Sequence, residues 1–372
     1  MGRRRHKNFS PLFPFKMKKD KLFDLRTNKT GLRQVYKYEE NESNITVPPD
    51  CTIDVNTLKE CYYDLTPVEG SYVGELSENG VEEFYLERKF SLGDLLMLVP
   101  VYRELVSRKF KPYIRTLTEY CDLLSRLEVF YESTEVTAGS TGHGIMFDYL
   151  IERDHFIKQL QKMHRIEIYH KILGLPFRPE YLDWTFKKEN FPETNFFDNA
   201  PYVVFQGRGA THRRGLSEET IQELIYFFNL EKINVVYIGS KIDGLEGDKD
   251  HTIFQYMGCT LPELFSLISN AKLVVSMDSS PIWVSHFTKT PIIAILGPSR
   301  PHERISLHPF YPDFVKAIEL NNDLNCKSCF EQSKACNHMF DCLYLAKSER
   351  IYEGIRNHLK DFDMLKLWGI NE

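Results

Sequence analysis

Residues 271–299, AKLVVSMDSSPIWVSHFTKTPIIAILGPS, constrain the fold more than any other part of the chain. Residues 273–276 are a short apolar run of the kind that fills a buried parallel strand. Asp278-Ser279-Ser280-Pro281 breaks that run and suits a helix starting near Pro281. A second apolar run, 292–296, ends in Gly297-Pro298-Ser299. A helix start at the carboxyl edge of a parallel sheet offers free N–H groups and the positive end of a dipole, which suits a diphosphate. Asp278 beside it would repel phosphate and is better matched to hydroxyls.

The same alternation recurs in two series. The first has strands at 81–90, 113–117, 129–131 and 145–149, with helices at 95–108, 119–127 and 154–173; Pro100 strains the helical reading of 95–108. The second has strands at 202–206, 234–238, 273–276 and 292–296, with helices at 217–228, 261–269 and 281–287. Residues 174–201, rich in Pro, Asn and Phe, read as the linker. The fold class is α/β with parallel sheets. Four regions are expected: 1–70, a basic, poorly ordered or accessory segment; 71–195, a first βαβ domain; 196–345, a second βαβ domain with the Cys cluster; and 346–372, a helix packing back on the first domain.

The net charge of −5 hides an asymmetry. Residues 1–40 hold twelve Lys and Arg against four acids, a balance of +8 that leaves −13 for the rest. A basic arm on an acidic body fits either a polyanionic partner or a solvated tail. No apolar run is long enough for a transmembrane segment, and the N-terminus lacks the apolar core of a signal peptide, so a cytoplasmic protein is expected. Cys326, Cys329, Cys336 and Cys342 form C-x2-C-x6-C-x5-C, which fits a structural Zn²⁺ site or a knot of free thiols. Asp248-Lys249-Asp250 and Asp361-Phe362-Asp363 read as solvated charge rather than metal sites.

Four blocks together resemble the heptosyltransferase-like glycosyltransferases, glycosyltransferase family 9. Arg88–Pro100, RKFSLGDLLMLVP, is similar to the family's K-x-S-x-G-D-x-x-x-x-x-P. Phe205–Glu219, FQGRGATHRRGLSEE, resembles its glycine/threonine turn before K-x-W-P-x-E. Met257–Ser280 resembles G-x-T-S-L-x-E-L-x-x-L-I-x-x-A-x-x-x-V-x-x-D-T-G, and Pro291–Ser299 resembles P-x-x-x-L-F-G-P-T. The resemblance implies a GT-B fold, two facing Rossmann-like domains with a cleft between them. It implies transfer from a nucleotide-diphosphate sugar to an acceptor hydroxyl, inverting, with no cofactor needed for catalysis.

Read from residues alone, Asp94 fits a helix N-cap; the resemblance implies the general base that takes the acceptor's proton. Gly93 would allow close approach of the substrate. Arg213 stands where the family has a phosphate-contacting Lys and offers a bidentate fork to the leaving diphosphate, in a turn with Gly207, Thr211 and Arg214. Gly239, Ser240 and Cys259 are expected to flank the nucleoside, and Asp243 is either a ribose contact or a turn residue. Asp278, Ser279, Ser280 and Pro281 match the family's D-T-G turn, with Asp278 on sugar hydroxyls and the serines on pyrophosphate. Two departures stand out. Ser280 replaces Gly, and Trp283 stands where the family usually has His. His286, about one turn on, is a replacement for that charge or a packed helix residue.

The acceptor is a lipopolysaccharide-type glycan by resemblance. The basic arm and an AT-rich residue usage also suit a phage-type enzyme that glycosylates hydroxymethylated DNA bases, acting in a bacterium or a phage-infected host. A nucleotide-sugar-binding protein whose catalysis has lapsed is a further alternative, motivated by Ser280 and Trp283.

Overall fold

The computed structural model describes residues 15–16, 22–27, 33–37, 51–53, 66–67, 80, 82–89, 91–134, 144–147, 164–209, 215–243, 253–305, 307–308, 313–320, 341–344 and 346–368. The chain divides into two compact units: Met1–Phe90 with Met97–Asp183, and Ser91–Leu96 with Trp184–Glu372.

In the first unit, β1 (Phe15–Lys16) pairs with β5 (Thr66–Pro67), and β2 (Leu22–Thr27) pairs antiparallel with β3 (Arg33–Lys37) and β4 (Cys51–Ile53). The segment expected from sequence to be poorly ordered or accessory contains these paired strands. A four-stranded parallel sheet follows, in the order β8-β7-β6-β9: Tyr131–Ser133, Lys111–Thr116, Glu83–Glu87 and Gly144–Met146. Helix α1 (Leu92–Ser107) is buried along Leu95–Val99 and carries Pro100 in its interior, so the proline does not end it. Helices α2 (Thr118–Arg126) and α3 (Arg165–Leu173) follow. Only the second half of the long helix expected at 154–173 lies among the described residues. Gly174 ends α3 in the left-handed conformation (φ 69°), which glycine adopts at little cost.

The second unit is built on a six-stranded parallel sheet. Its strands are β10 (Tyr202–Gln206), β11 (Asn234–Ile238), β12 (Ile253–Tyr256), β13 (Leu273–Met277), β14 (Ile292–Leu296) and β15 (Val315–Glu319). The order is β12-β11-β10-β13-β14-β15, so the chain runs outward one way from β10, then crosses to β13 and runs outward the other way. β13 and β14 are buried at every position, as a sheet covered on both faces requires. One face packs α4 (Glu218–Leu230) and α9 (Ser348–Asp361), through Ile221, Leu224, Ile225, Phe228, Ile351, Ile355 and Leu359. On the other face Ile292, Ala294 and Leu296 cluster with Ile282, Ile305, Phe314 and Val315. The terminal helix, expected from sequence to pack back on the first domain, packs on this unit's own core. Its stripe Ile351–Ile355–Leu359 matches the α4 side of the sheet.

The stretch expected to be a linker is partly core. Phe191 stacks on Phe265 of α5 (Leu261–Asn270), with ring centroids 4.9 Å apart, and Pro192 O accepts from Ser266 Oγ. Trp184 meets Phe287 edge-on at 5.0 Å.

Candidate functional site at the carboxyl edge of the second sheet

The crossover from β12 back to β13 places the switch point between β10 and β13. In open parallel sheets the ligand crevice opens there, outside the carboxyl ends of the strands. Four strand ends supply it here: Gln206 on β10, Gly239 after β11, Asp278-Ser279-Ser280 after β13, and Gly297-Pro298-Ser299 after β14.

Helix α6 (Ser280–Thr288) begins at this edge, with Ser279 at its N-cap and Pro281 in its first turn. The Ser279 side chain does not cap the helix. It donates to Gln206 Oε1, which also lies 3.1 Å from Ser276 Oγ. The first-turn amides of α6 are thus left without a side-chain cap, an arrangement suited to an anion.

Asp278 is 6% exposed. Its Oδ2 accepts from Ser299 Oγ at 2.7 Å and lies 3.2 Å from Arg304 Nε, on the short helix α7 (Pro301–Arg304). The expected carboxylate is therefore held by a hydroxyl and a guanidinium of its own domain. Neither Ser299 nor Arg304 was foreseen as its partner.

The glycines separate by role. Gly239 has φ 124°, a conformation open to glycine; a Cβ there would sit 3.8 Å from the Tyr237 hydroxyl and 4.0 Å from Gln206 Cγ. A Cβ on Gly207 would come within 2.5 Å of Ile221 Cγ1, so this glycine lets α4 pack against the turn. A Cβ on Gly297 would reach 2.5 Å from Leu343 and 3.2 Å from Cys342 Sγ, both on α8 (Asp341–Tyr344).

Gly93 and Asp94 group with the second unit, although they follow β6 of the first sheet. They lie in the first turn of α1, so Asp94 is not the N-cap; Ser91 precedes the helix with φ 69°. Asp94 is 6% exposed. A Cβ on Gly93 would stand 2.7 Å from Trp283 Cδ1 and 3.0 Å from its Nε1, so the indole occupies the space a side chain would need. Trp283 is buried, stacked with Trp184 at 6.3 Å and tilted on His286 at 5.1 Å.

His286 lies about one turn beyond Trp283 on α6. It is buried, and its Nδ1 lies 2.8 Å from Ile282 O, bonding along its own helix. Burial pushes its pKa down to about 4, so it is neutral near pH 7.

Ser240 is exposed beside Gly239. Cys259 is half-buried, and its thiol is pushed up first by burial and then by Glu263. Thr260 and Glu263 form a capping box that starts α5 (Thr260 N to Glu263 Oε2, 2.7 Å). Asp243 is exposed, 3.6 Å from Lys241 Nζ. Arg208 donates to Glu218 Oε2 at 2.9 Å. Thr211, Arg213 and Arg214 lie outside the described residues, as do Cys326, Cys329 and Cys336. Cys342 is buried, and among the described residues no group of metal-ligating side chains occurs. Among them, too, no helix is long and apolar enough to cross a membrane.

Residues 187–339 match the glycosyltransferase family 9 (heptosyltransferase) model. The matched residues, less than half of the chain, contain the carboxyl edge of β10, β13 and β14. Among solved structures, the E. coli heptosyltransferase WaaC with ADP-2-deoxy-2-fluoro heptose is 13% identical, with a TM-score of 0.51 over 74% of this chain and 99% of that one. The dodecameric iron-containing heptosyltransferase TibC, in complex with ADP-D-beta-D-heptose, is 14% identical, with a TM-score of 0.52 over 88% of this chain and 82% of that one. These likenesses show the fold, α/β of GT-B type. No curated protein matches the sequence.

Proposed function

We propose that this protein is a glycosyltransferase that moves a sugar from a nucleoside-diphosphate sugar to an acceptor hydroxyl, with inversion. The observation that carries the reading is the meeting of Gln206, Gly239, Asp278–Ser280 and Ser299 at one switch point, within the residues that match the family 9 model. The diphosphate is received by the first-turn amides of α6 and the Ser280 hydroxyl, with Arg213 as the cation that offsets charge on the leaving group. Asp278, held by Ser299 and Arg304, faces sugar hydroxyls. Asp94 takes the acceptor's proton as its oxygen attacks the anomeric carbon, while the bond from that carbon to the diphosphate oxygen breaks. The ADP-heptose complexes of WaaC and TibC make an ADP-sugar the first donor to try.

A screen of nucleotide sugars for hydrolysis and transfer tests this reading. One donor is expected to be consumed, and more quickly with an acceptor present. Asp94→Ala separates catalysis from binding: turnover falls while donor affinity stays near normal. Unchanged turnover in that variant contradicts the base assignment, and no turnover of any donor favours a protein that only binds.

The acceptor is proposed to be a lipopolysaccharide-type glycan. The +8 balance of residues 1–40 favours one second reading, DNA as acceptor. DNA affinity would then fall steeply with salt and be lost on removing residues 1–21. Full DNA affinity in the truncated protein rules out that role for the arm.

A further inference from the structure

Gln206 ends β10, the strand at which the sheet order turns, and is paired in register with Ser276 of β13. Its side-chain Oε1 accepts from Ser279 Oγ and lies 3.1 Å from Ser276 Oγ. The Ser276 proton has a second acceptor, Met277 O at 2.8 Å, so Ser279 is the firmer lock. Hydroxyl donors on the oxygen fix which way the carboxamide faces: the oxygen toward β13, the NH₂ away from it. Among the described residues no group accepts from Gln206 Nε2, and the residue is half-buried at the sheet edge, not enclosed in the core. The neighbouring backbone is Gly239, with no side chain to cover the amide.

The crevice is thus presented with a neutral group that donates two N–H bonds and offers no acceptor. Phosphate oxygens, which only accept, fit such a group. Sugar hydroxyls, which also need somewhere to donate, fit it less well and have Asp278 instead.

We propose that Gln206 is a specificity-determining residue of the donor site, donating from Nε2 to a phosphate oxygen of the nucleoside diphosphate while Ser279 and Ser276 hold the amide in that orientation. This rests on the donor reading above. Glutamate at the position would accept the same two hydroxyls at nearly the same volume and turn a carboxylate oxygen to the ligand. The substitution therefore reverses the electrostatic sense of the contact with little change in shape.

The test is calorimetric titration of ADP, UDP and GDP, and of their nucleosides, into the full chain and into Gln206→Glu, Gln206→Met and Ser279→Ala. Each variant is first checked for an unchanged unfolding temperature. For the diphosphate that binds best, Gln206→Glu is expected to lower affinity by at least about tenfold and leave the nucleoside within about twofold. Gln206→Met is expected to lose roughly fivefold, again for the diphosphate alone, and it carries the test if the glutamate variant does not fold. Ser279→Ala is expected to show the same pattern at smaller amplitude. Equal losses for diphosphate and nucleoside, or no loss of diphosphate affinity, overturn the assignment of Gln206 while leaving the donor site in place. If the unaltered protein binds none of the three diphosphates, the donor reading falls and this inference falls with it.

Discussion

The two parallel sheets end in opposite ways. At the carboxyl edge of β6, β7 and β8, the polar side chains are charged and matched to one another. Arg115 donates from Nε and Nη2 to Glu132 Oε2 at 2.9 and 2.8 Å and lies 3.9 Å over the Tyr85 ring. Glu87 is paired with Lys89 at 3.1 Å and lies 4.0 Å from Arg115. At the carboxyl edge of β10, β13 and β14, the described residues bring together hydroxyls, an amide and glycines, with the Asp278 carboxylate matched by Arg304. Among the described residues the first edge pairs charge with charge. The second presents N–H donors and a helix start, which is what an anionic ligand requires. The comparison teaches that charge density alone does not distinguish the edge proposed to bind the donor; its N–H donors and helix start do.

The largest effect should come from Asp94, the acid that groups with the second unit. Asp94→Asn is expected to lower kcat by about 10²–10⁴-fold and change donor affinity by less than about twofold, as steady-state kinetics beside a binding titration will show. A change confined to affinity would move Asp94 out of the chemistry.

Arg115→Ala sharpens the contrast from the other side. Removing one member of the buried network should cost about 3–5 kcal/mol in the stability of the first unit, read by denaturant unfolding, and leave nucleotide affinity unaltered. A selective loss of nucleotide binding instead would mean that the first edge, too, serves the ligand.

The pH dependence of unfolding tests the burial of His286. Its folded pKa, about 4, lies below its ordinary 6.5, so the unfolded chain binds more protons in between. The contribution is complete above pH 6.5 and is lost as pH falls toward 4, by about 3 kcal/mol in all. His308, whose ring is 4.7 Å from that of His286, is lowered in the same direction, also by burial first. His286→Leu should flatten part of that slope. An unchanged slope would show that His286 titrates normally and is open to solvent.

The smallest effect is steric. Gly207→Ala must push Ile221 aside and should cost about 1–3 kcal/mol by overpacking, with nucleotide affinity falling only as far as the turn moves.

Much of this was legible in the sequence where the signal is local. The apolar runs of β10, β11, β13 and β14 and the breaker at Asp278–Pro281 placed the central strands and α6 within a residue or two. The outer strands were not legible. Ile253–Tyr256 is short and only partly buried, and Val315–Glu319 mixes Lys and Glu into five residues. The stripe of α9 announces an amphipathic helix but not which sheet receives it. The site was legible in kind but not in its partners. Arg304 is far from Asp278 along the chain, and Trp283 farther still from Gly93. Gln206 looks like an ordinary strand end until Ser276 and Ser279 are seen to converge on it.

The most direct test of the account is amide hydrogen exchange of the full chain with and without a saturating nucleoside diphosphate. The account predicts new protection at 206–209, 239–240 and 278–283 and none at 87–89 or 115–116. Protection at the Glu87–Arg115 edge with none at the start of α6 would contradict it.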